Sequence, residues 1–305
     1  MVADIGGTTI RVALDRGGRL SDLARAPSAS VEPDPAPWLR RWAQGLAERP
    51  RAACISVAGP VRDPQQVELT NVRLRLRCED LGLPARLVND LHAAAMGLPL
   101  VEAAQRLHLG GPPPQDGGPV GVLGVGTGLG QALACGDQVL PGEGGHGAYA
   151  PGDELEQGLH RFLQQRHGYV DWEHVCSGSA FGDLLEFSRI RHPDSPPIEP
   201  GVAAAAWVLE RAERDPACAL ALQLQLAALG REAGNMALRH LTTGGIWLVG
   251  GVAARLRPWL GGPTFRSAFE QRGRFSELAA SVPRILVLDE EVGLRGAGRI
   301  ARALV

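Results

Sequence analysis

The sequence predicts an α/β protein made of two related domains, and three observations carry that prediction. Near residue 4 a short strand meets a Gly/Thr turn and a returning strand, and the same pattern recurs near residue 124. Elsewhere, short apolar runs alternate with stretches of helical spacing, the rhythm of an α/β fold. The chain's 305 residues are enough for two domains of ordinary size.

Along the chain, Val2 to Leu14 reads as a β-hairpin with a turn at Gly6-Gly7-Thr8, and Gly17-Gly18 marks the next turn. Trp38, Leu39, Trp42 and Leu46 have helical spacing. Ala52 to Val57 is an apolar run bounded by Gly59-Pro60, a buried strand. A second such run, Ala85 to Val88, ends at Asn89-Asp90, and Leu91 to Leu98 continues as a helix. Gly110 to Gly118 is a loop by composition. Val120 to Val125 then runs into a Gly-Thr-Gly turn, with Gln131 to Ala134 as its hairpin partner. Glu154 to Arg166 is a helix, and His192 to Pro200 a proline-rich loop. Gly201 to His240 reads as two helices broken near Asp215-Pro216. Ile246 to Val249 is a strand ending in Gly250-Gly251, Arg284 to Leu288 a late strand, and Leu294 to Leu304 a terminal helix. No fine-period repeat is visible.

Composition removes several classes of function. The formal net charge of −2 gives no electrostatic reason to expect a nucleic-acid partner. No run approaches the roughly 20 apolar residues of a membrane span, and no basic, apolar leader opens the chain. The five cysteines are scattered and form no CxxC pair, so a reducing, cytoplasmic setting is expected. All 31 Lys+Arg residues are arginine. Without lysine, neither a GxxxxGK[ST] phosphate loop nor Schiff-base chemistry is available. Any phosphate site must use backbone amides, hydroxyls, arginine or a metal.

Five constellations and one single residue remain. In Asp4-Ile5-Gly6-Gly7-Thr8, paired glycines let a phosphate approach the amides, Thr8 adds a hydroxyl, and Asp4 stands where a carboxylate can hold a metal or its water. A plain hairpin turn explains the same residues. Gly124 to Gly130 (GVGTGLG) lacks the spacing of a dinucleotide fingerprint but suits phosphate cradling; a glycine-rich hairpin is the alternative. Asp90 follows a buried strand, where ligands bind in open α/β sheets and a carboxylate can take a hydroxyl proton. Asn89 or Asp90 serves equally as a helix cap. Leu140 to His146 places Glu143 and His146 in a glycine-rich loop suited to recognising hydroxyl groups, or a surface turn. Glu173 by itself reads as a solvated helix-end carboxylate. Gly250-Gly251 suits close approach of an adenosine, or simply a turn.

In order, these motifs resemble the bacterial glucokinase family of the non-ROK type, within the sugar kinase/Hsp70/actin superfamily. The resemblance runs nearly end to end. Its carriers are DIGGT at residues 4–8, TN at 70–71, ND at 89–90, GTGLG at 126–130, LPGEGGH at 140–146, SG at 177–178, GN at 234–235, GG at 250–251 and FRSAFEQRGRF at 265–275. It implies a two-domain actin-like ATPase (ribonuclease H-like) fold with a cleft between a small domain, residues 1–100 plus 293–305, and a large one, residues 101–292. It implies ATP-dependent phosphorylation of the glucose 6-hydroxyl with ATP and Mg²⁺ as cofactors, in a homodimer. Asp90 would be the base. Asn89, Glu143, His146 and Glu173 would bind the sugar with it. Asp4 would orient Mg²⁺ through water, and Gly6, Gly7, Thr8, Gly126, Thr127 and Gly128 would hold the phosphates. Ile5 lies in the first phosphate motif, and Gly250 and Gly251 would border adenosine. The chain departs from the family pattern at Leu74, Thr9 and Ala148, the last at a position often acidic in relatives. These departures leave open a kinase for mannose, glucosamine or an N-acetyl hexosamine, and a non-catalytic sugar sensor on the same fold. The cysteine-rich CxCGxxGC segment of zinc-containing ROK relatives does not follow His146.

Overall fold

The structure, a computed structural model, describes residues 1–69 and 73–305; the Thr70-Asn71 motif lies outside the described residues. Backbone contacts divide the chain into two units, one of residues 1–105, 137–141 and 289–305, the other of residues 106–136 and 142–288.

The first unit opens with β1 (Val2–Ile5), β2 (Thr9–Arg16) and β3 (Arg19–Pro27), followed by α1 (Ala36–Gln44), β4 (Ala53–Val57), β5 (Gln66–Leu69), β6 (Leu74–Arg77), β7 (Ala85–Asn89) and α2 (Asp90–Gly97). Its main sheet has the order β3-β2-β1-β4-β7. β1 is antiparallel to β2 and parallel to β4, and β4 is parallel to β7. All five residues of β4 are buried, as expected of a continuous apolar run in a strand covered on both faces. β3 was not anticipated. It is an edge strand of mostly exposed or half-buried residues, RLSDLARAP, so its charges hide the alternation that marks a strand.

The second unit contains β8 (Arg106–Gly110), β9 (Val120–Val125), β10 (Leu129–Cys135), α3 (Glu154–His167), α4 (Glu173–Cys176), α5 (Phe181–Arg189), α6 (Ala204–Arg211) and α7 (Pro216–His240). It continues through β11 (Ile246–Val249), α8 (Gly251–Arg255), α9 (Arg257–Leu260), α10 (Pro263–Glu270), α11 (Ser276–Ala280) and β12 (Arg284–Val287). Within this unit the sheet runs β10-β9-β11-β12-β8. β9 is antiparallel to β10 and parallel to β11, and β11 is parallel to β12. The two sheets therefore share one design, an antiparallel hairpin joined through its first strand to parallel neighbours. The doubled Gly/Thr pattern in the sequence is the trace of that design.

The break expected at Asp215-Pro216 is a helix start. Asp215 accepts the amides of Ala217 and Cys218, and Pro216 occupies the first helical position. α7 then runs through a core that includes the fully buried Phe181, Phe265 and Phe269. The last helix, α12 (Val292–Arg302), belongs to the first unit and lies on α2. Glycines make that crossing possible. A Cβ at Gly296 would collide with the Ala93 carbonyl, and one at Gly97 with the Val292 carbonyl.

Candidate active site

In the first unit, the expected residues gather where β1 and β7 end. The Gly6-Gly7-Thr8 turn closes with Gly6 N donating to Thr9 O at 3.0 Å, and Ser28 fastens it through its hydroxyl to Gly6 O at 2.7 Å. Gly7 and Thr8 are exposed, and a Cβ at Gly7 would meet no protein atom within 4 Å. Asp4 is a cross-strand partner of Arg11. Arg11 donates Nη2 and Nε to Asp4 Oδ2 at 2.6 and 3.2 Å, and Ser56 donates its hydroxyl to Oδ1 at 3.1 Å.

Both sequence readings of Asn89-Asp90 meet at the junction of β7 and α2. Asn89 is the helix cap. Its side-chain oxygen accepts Leu91 N at 2.9 Å and His92 N at 3.2 Å, while its amide donates to Gly59 O at 3.1 Å. At most one amide hydrogen is left for a ligand. Asp90 is the first helical residue, half-buried, with Oδ1 2.9 Å from Leu91 N.

In the second unit, the Gly126-Thr127-Gly128 turn is held by the segment that follows α4. Gly178 N donates to Gly126 O at 2.8 Å, and Ser179 donates its amide and hydroxyl to Thr127 O at 3.1 and 3.0 Å. Gly250 has φ +104°, and a Cβ there would lie 2.6 Å from Val125 O, so glycine is required beside the turn for conformation and for packing. Glu173 is not the solvated carboxylate that its sequence position suggested. It opens α4, and its Oε2 accepts Leu129 N at 2.8 Å. The same carboxylate occupies the space a side chain at residue 128 would need.

The loop at 140–146 is part strand, Gln138–Gly142, and Gly144–His146 form a single 3-10 turn. Gly145 packs on Leu129 O and Gly144 on the side chain of Gln131, leaving no room for a Cβ at either. Gln131 is anchored in turn by Glu232, which is fully buried and also receives Asn235 and both terminal nitrogens of Arg239. After the loop, Tyr149 N donates to Val170 O and Trp172 N to Gly147 O, which sets Ala148 opposite Asp171. This short ladder brings His146 and Glu173 together. The His146 Nδ1 lies 3.0 Å from Asp171 Oδ2. The hydrogen bond to Asp171 holds the His146 imidazole above its usual range against partial burial, with Glu173, Asp171 and Glu143 adding attraction. Burial pushes Asp171 up, but hydrogen bonds from His146 and His174 outweigh it and hold the carboxyl below the usual range.

Asp171, His174, Gln131 and Glu232 were not singled out from the sequence. The Asp171/His174 spacing at i,i+3 is the one local signal that could have found any of them. Two motifs prove structural. Gly234 in GN and Gly230 pack without side chains on the Phe269 and Phe265 carbonyls of α10, the helix that carries most of FRSAFEQRGRF. Among the described residues, no cluster of three or more His, Cys, Asp or Glu side chains forms a ready metal site.

Two sheets of one shared design, a Gly/Thr turn in each unit and a carboxylate opening a helix at a strand end define a sugar kinase of the actin-like ATPase fold. Comparison with known proteins gives the family. The chain matches the family described as Glucokinase over residues 1–304, and it belongs to that family. It is 33% identical over 311 residues to the glucokinase of Nitrobacter hamburgensis, covering 97% of this chain and 95% of that protein. The crystal structure of a glucokinase from an Antarctic psychrotroph aligns with a TM-score of 0.83 at 27% identity, covering 99% and 98% of the two chains. The glucokinase of Balamuthia mandrillaris, solved in complex with glucose, shares the fold with a TM-score of 0.81 at 20% identity over 99% of this chain and 92% of that one.

Proposed function

We propose that this protein transfers the γ-phosphoryl group of ATP to the 6-hydroxyl of glucose, giving glucose 6-phosphate and ADP, with Asp90 as the base. The hydroxyl proton passes to the Asp90 carboxylate as O6 bonds to the γ-phosphorus, and the bond from that phosphorus to the β–γ bridging oxygen breaks. The observation that carries the reading is the contact of Glu173 with the backbone of Gly128-Leu129. It joins the carboxylate expected to hold the sugar to the turn expected to hold phosphate, and phosphoryl transfer depends above all on such positioning.

Glu143, His146 and Glu173 read the sugar hydroxyls, helped by the remaining amide hydrogen of Asn89. Gly6, Gly7 and Thr8 in one turn, and Gly126, Thr127 and Gly128 in the other, offer backbone donors to the phosphates. Gly250 and Gly251 border adenosine. Mg²⁺ keeps most of its waters and favours one or two carboxylates plus substrate phosphates, so it fits here as an ion carried by ATP. Asp4 would hold its water through Oδ1, since Oδ2 serves Arg11, and the ion would neutralise phosphate charge. All five cysteines are free thiols, which suits a reducing cytoplasm, and no helix among the described residues is long and apolar enough to cross a membrane.

The test is Asp90→Ala and Asp90→Asn in a coupled ADP-release assay with Mg-ATP and a panel of hexoses, alongside calorimetric glucose binding. Turnover should fall by about 10²–10⁴-fold or more while glucose still binds. Wild-type turnover in the variants would overturn the base. Saturable sugar binding without turnover in the wild-type protein would make it a sensor.

A further inference from the structure

We infer that Asp171 is a positioning residue for His146: its buried carboxylate accepts the Nδ1–H of that imidazole and turns Nε2 toward a sugar hydroxyl, while His174 on the other carboxylate oxygen tunes the pairing. The inference rests on the reading that this loop binds the hexose.

The geometry is that of one carboxylate shared by two imidazoles. Asp171 Oδ2 lies 3.0 Å from His146 Nδ1, and Oδ1 lies 2.5 Å from His174 Nδ1. The Asp171 side chain is 8% exposed and that of His146 is 56% exposed, so the acid is covered and the ring it holds is presented outward. Backbone bonds fix both ends. Asp171 lies in the ladder opposite Ala148, and the Tyr169 hydroxyl donates to His146 O at 3.0 Å. A carboxylate on one ring nitrogen selects the tautomer and leaves the other nitrogen to the ligand.

In neutral His146, Nε2 then accepts a hydroxyl proton; in the protonated ring it donates. The groups facing His146 are Glu143 from its own loop, Asp171 from the ladder and Glu173 from α4, all acidic. His174 faces Asp171 and, from α3, His167, with ring centroids 4.3 Å apart. His167 is itself paired through Nε2 with Asp183 of α5 at 2.6 Å, and Arg166 of α3 bridges the same carboxylate at 3.1 Å. The imidazoles of His146 and His174 therefore share one carboxylate, and a change at His174 reaches His146 through Asp171.

The experiment compares wild type with Asp171→Asn and His174→Gln, by glucose KM and kcat across the neutral pH range and by NMR titration of isotope-labelled histidine rings. An amide at 171 keeps the shape and an acceptor oxygen but removes the charge, so a charge-assisted hydrogen bond becomes a neutral one of about half the strength. Glucose KM should rise about tenfold, the equivalent of about 1.4 kcal/mol, with the loss in KM rather than kcat. The His146 midpoint should move down in Asp171→Asn and up in His174→Gln. In a His146→Gln background, Asp171→Asn should have no further effect on KM.

An unmoved His146 midpoint in both variants overturns the inference, whether or not glucose proves to be the substrate. Glucose turnover in the wild type with an unaltered KM–pH profile in Asp171→Asn overturns it as well, and leaves the proposed function standing. Absence of glucose turnover in the wild type sinks the proposed function instead, while the ring titrations still decide the pairing. If Asp171→Asn does not fold, the His146 midpoint in wild type and in His174→Gln decides, an identical midpoint in the two counting against it.

Discussion

Replacing Gly128 by alanine probes the join between the proposed phosphate turn and the proposed sugar carboxylate, Glu173, with one methyl group. The new Cβ would lie 3.2 Å from Glu173 Cδ and, against Oε2, inside the 3.0 Å that real Cβ atoms do not cross. The carboxylate must retreat by roughly half an ångström. The bond from Leu129 N, now 2.8 Å, would then stretch past the upper limit of about 3.2 Å for a sound N–H···O contact. A hydrogen bond to a charged group contributes about 1.5–3 kcal/mol, and each 1.4 kcal/mol is about a factor of ten. The expected loss in kcat/KM for glucose is therefore about 10–100-fold, read in a coupled ADP-release assay with glucose varied at saturating Mg-ATP. Gly126→Ala is the companion measurement, because a Cβ there meets nothing within 4 Å. It should spare glucose KM and raise KM for ATP. A Gly128→Ala enzyme within twofold of wild type for glucose would refute the argument, since it would mean that the position of Glu173 does not matter to the sugar.

Two further outcomes follow from titration and burial. The Asp171 carboxyl is held below its ordinary value of 3.8, so its contribution to stability is present above that pH and is lost as pH falls through the folded value. The His146 ring is held above its ordinary 6.5, so its contribution is full below that pH and is lost as pH rises through the folded value. Thermal melts should show a plateau for this pair between the two ordinary values, and Asp171→Asn should flatten both limbs relative to wild type. Among the thiols, Cys54 is pushed up to about 12 and Cys78 and Cys218 to about 11 by burial, and the fully buried Cys176 is raised as well. Cys135 alone is exposed. A colorimetric thiol reagent should titrate one cysteine in the native protein and five in denaturant; more than one fast native thiol would contradict the burial.

The parts of the fold legible in the sequence are those whose cause is local. A buried parallel strand such as β4 reads as an apolar run because both its faces are covered, and Asp215-Pro216 reads as a boundary because cap and first-turn chemistry occupy adjacent residues. β3 was hidden by its edge position, and β8 because its partner β12 comes from the far end of the unit. The site divides in the same way. Asp90, His146 and the glycine turns stand in recognisable local settings. Asp171 does not, since its meaning comes from His146, 25 residues earlier, across a ladder only a few residues long. The absence of an acid at Ala148 was visible in the sequence, but not that Asp171 would stand opposite it. Glu173 looked solvated because nothing nearby in sequence announces the backbone amide of Leu129.

The glycine crossing of α2 and α12 has a consequence for how the protein is made. The helix that opens with Asp90 is seated by a helix that begins at Val292, about 200 residues later. At a synthesis rate of about 5–20 residues per second, the ribosome needs roughly 10–40 s to cover that distance. Through that interval the nascent chain carries α2 with its face at Ala93 and Gly97 uncovered. The helix bearing the carboxylate proposed as the base is thus written early and seated late, and chaperone occupancy on the nascent chain should concentrate in the interval between the two.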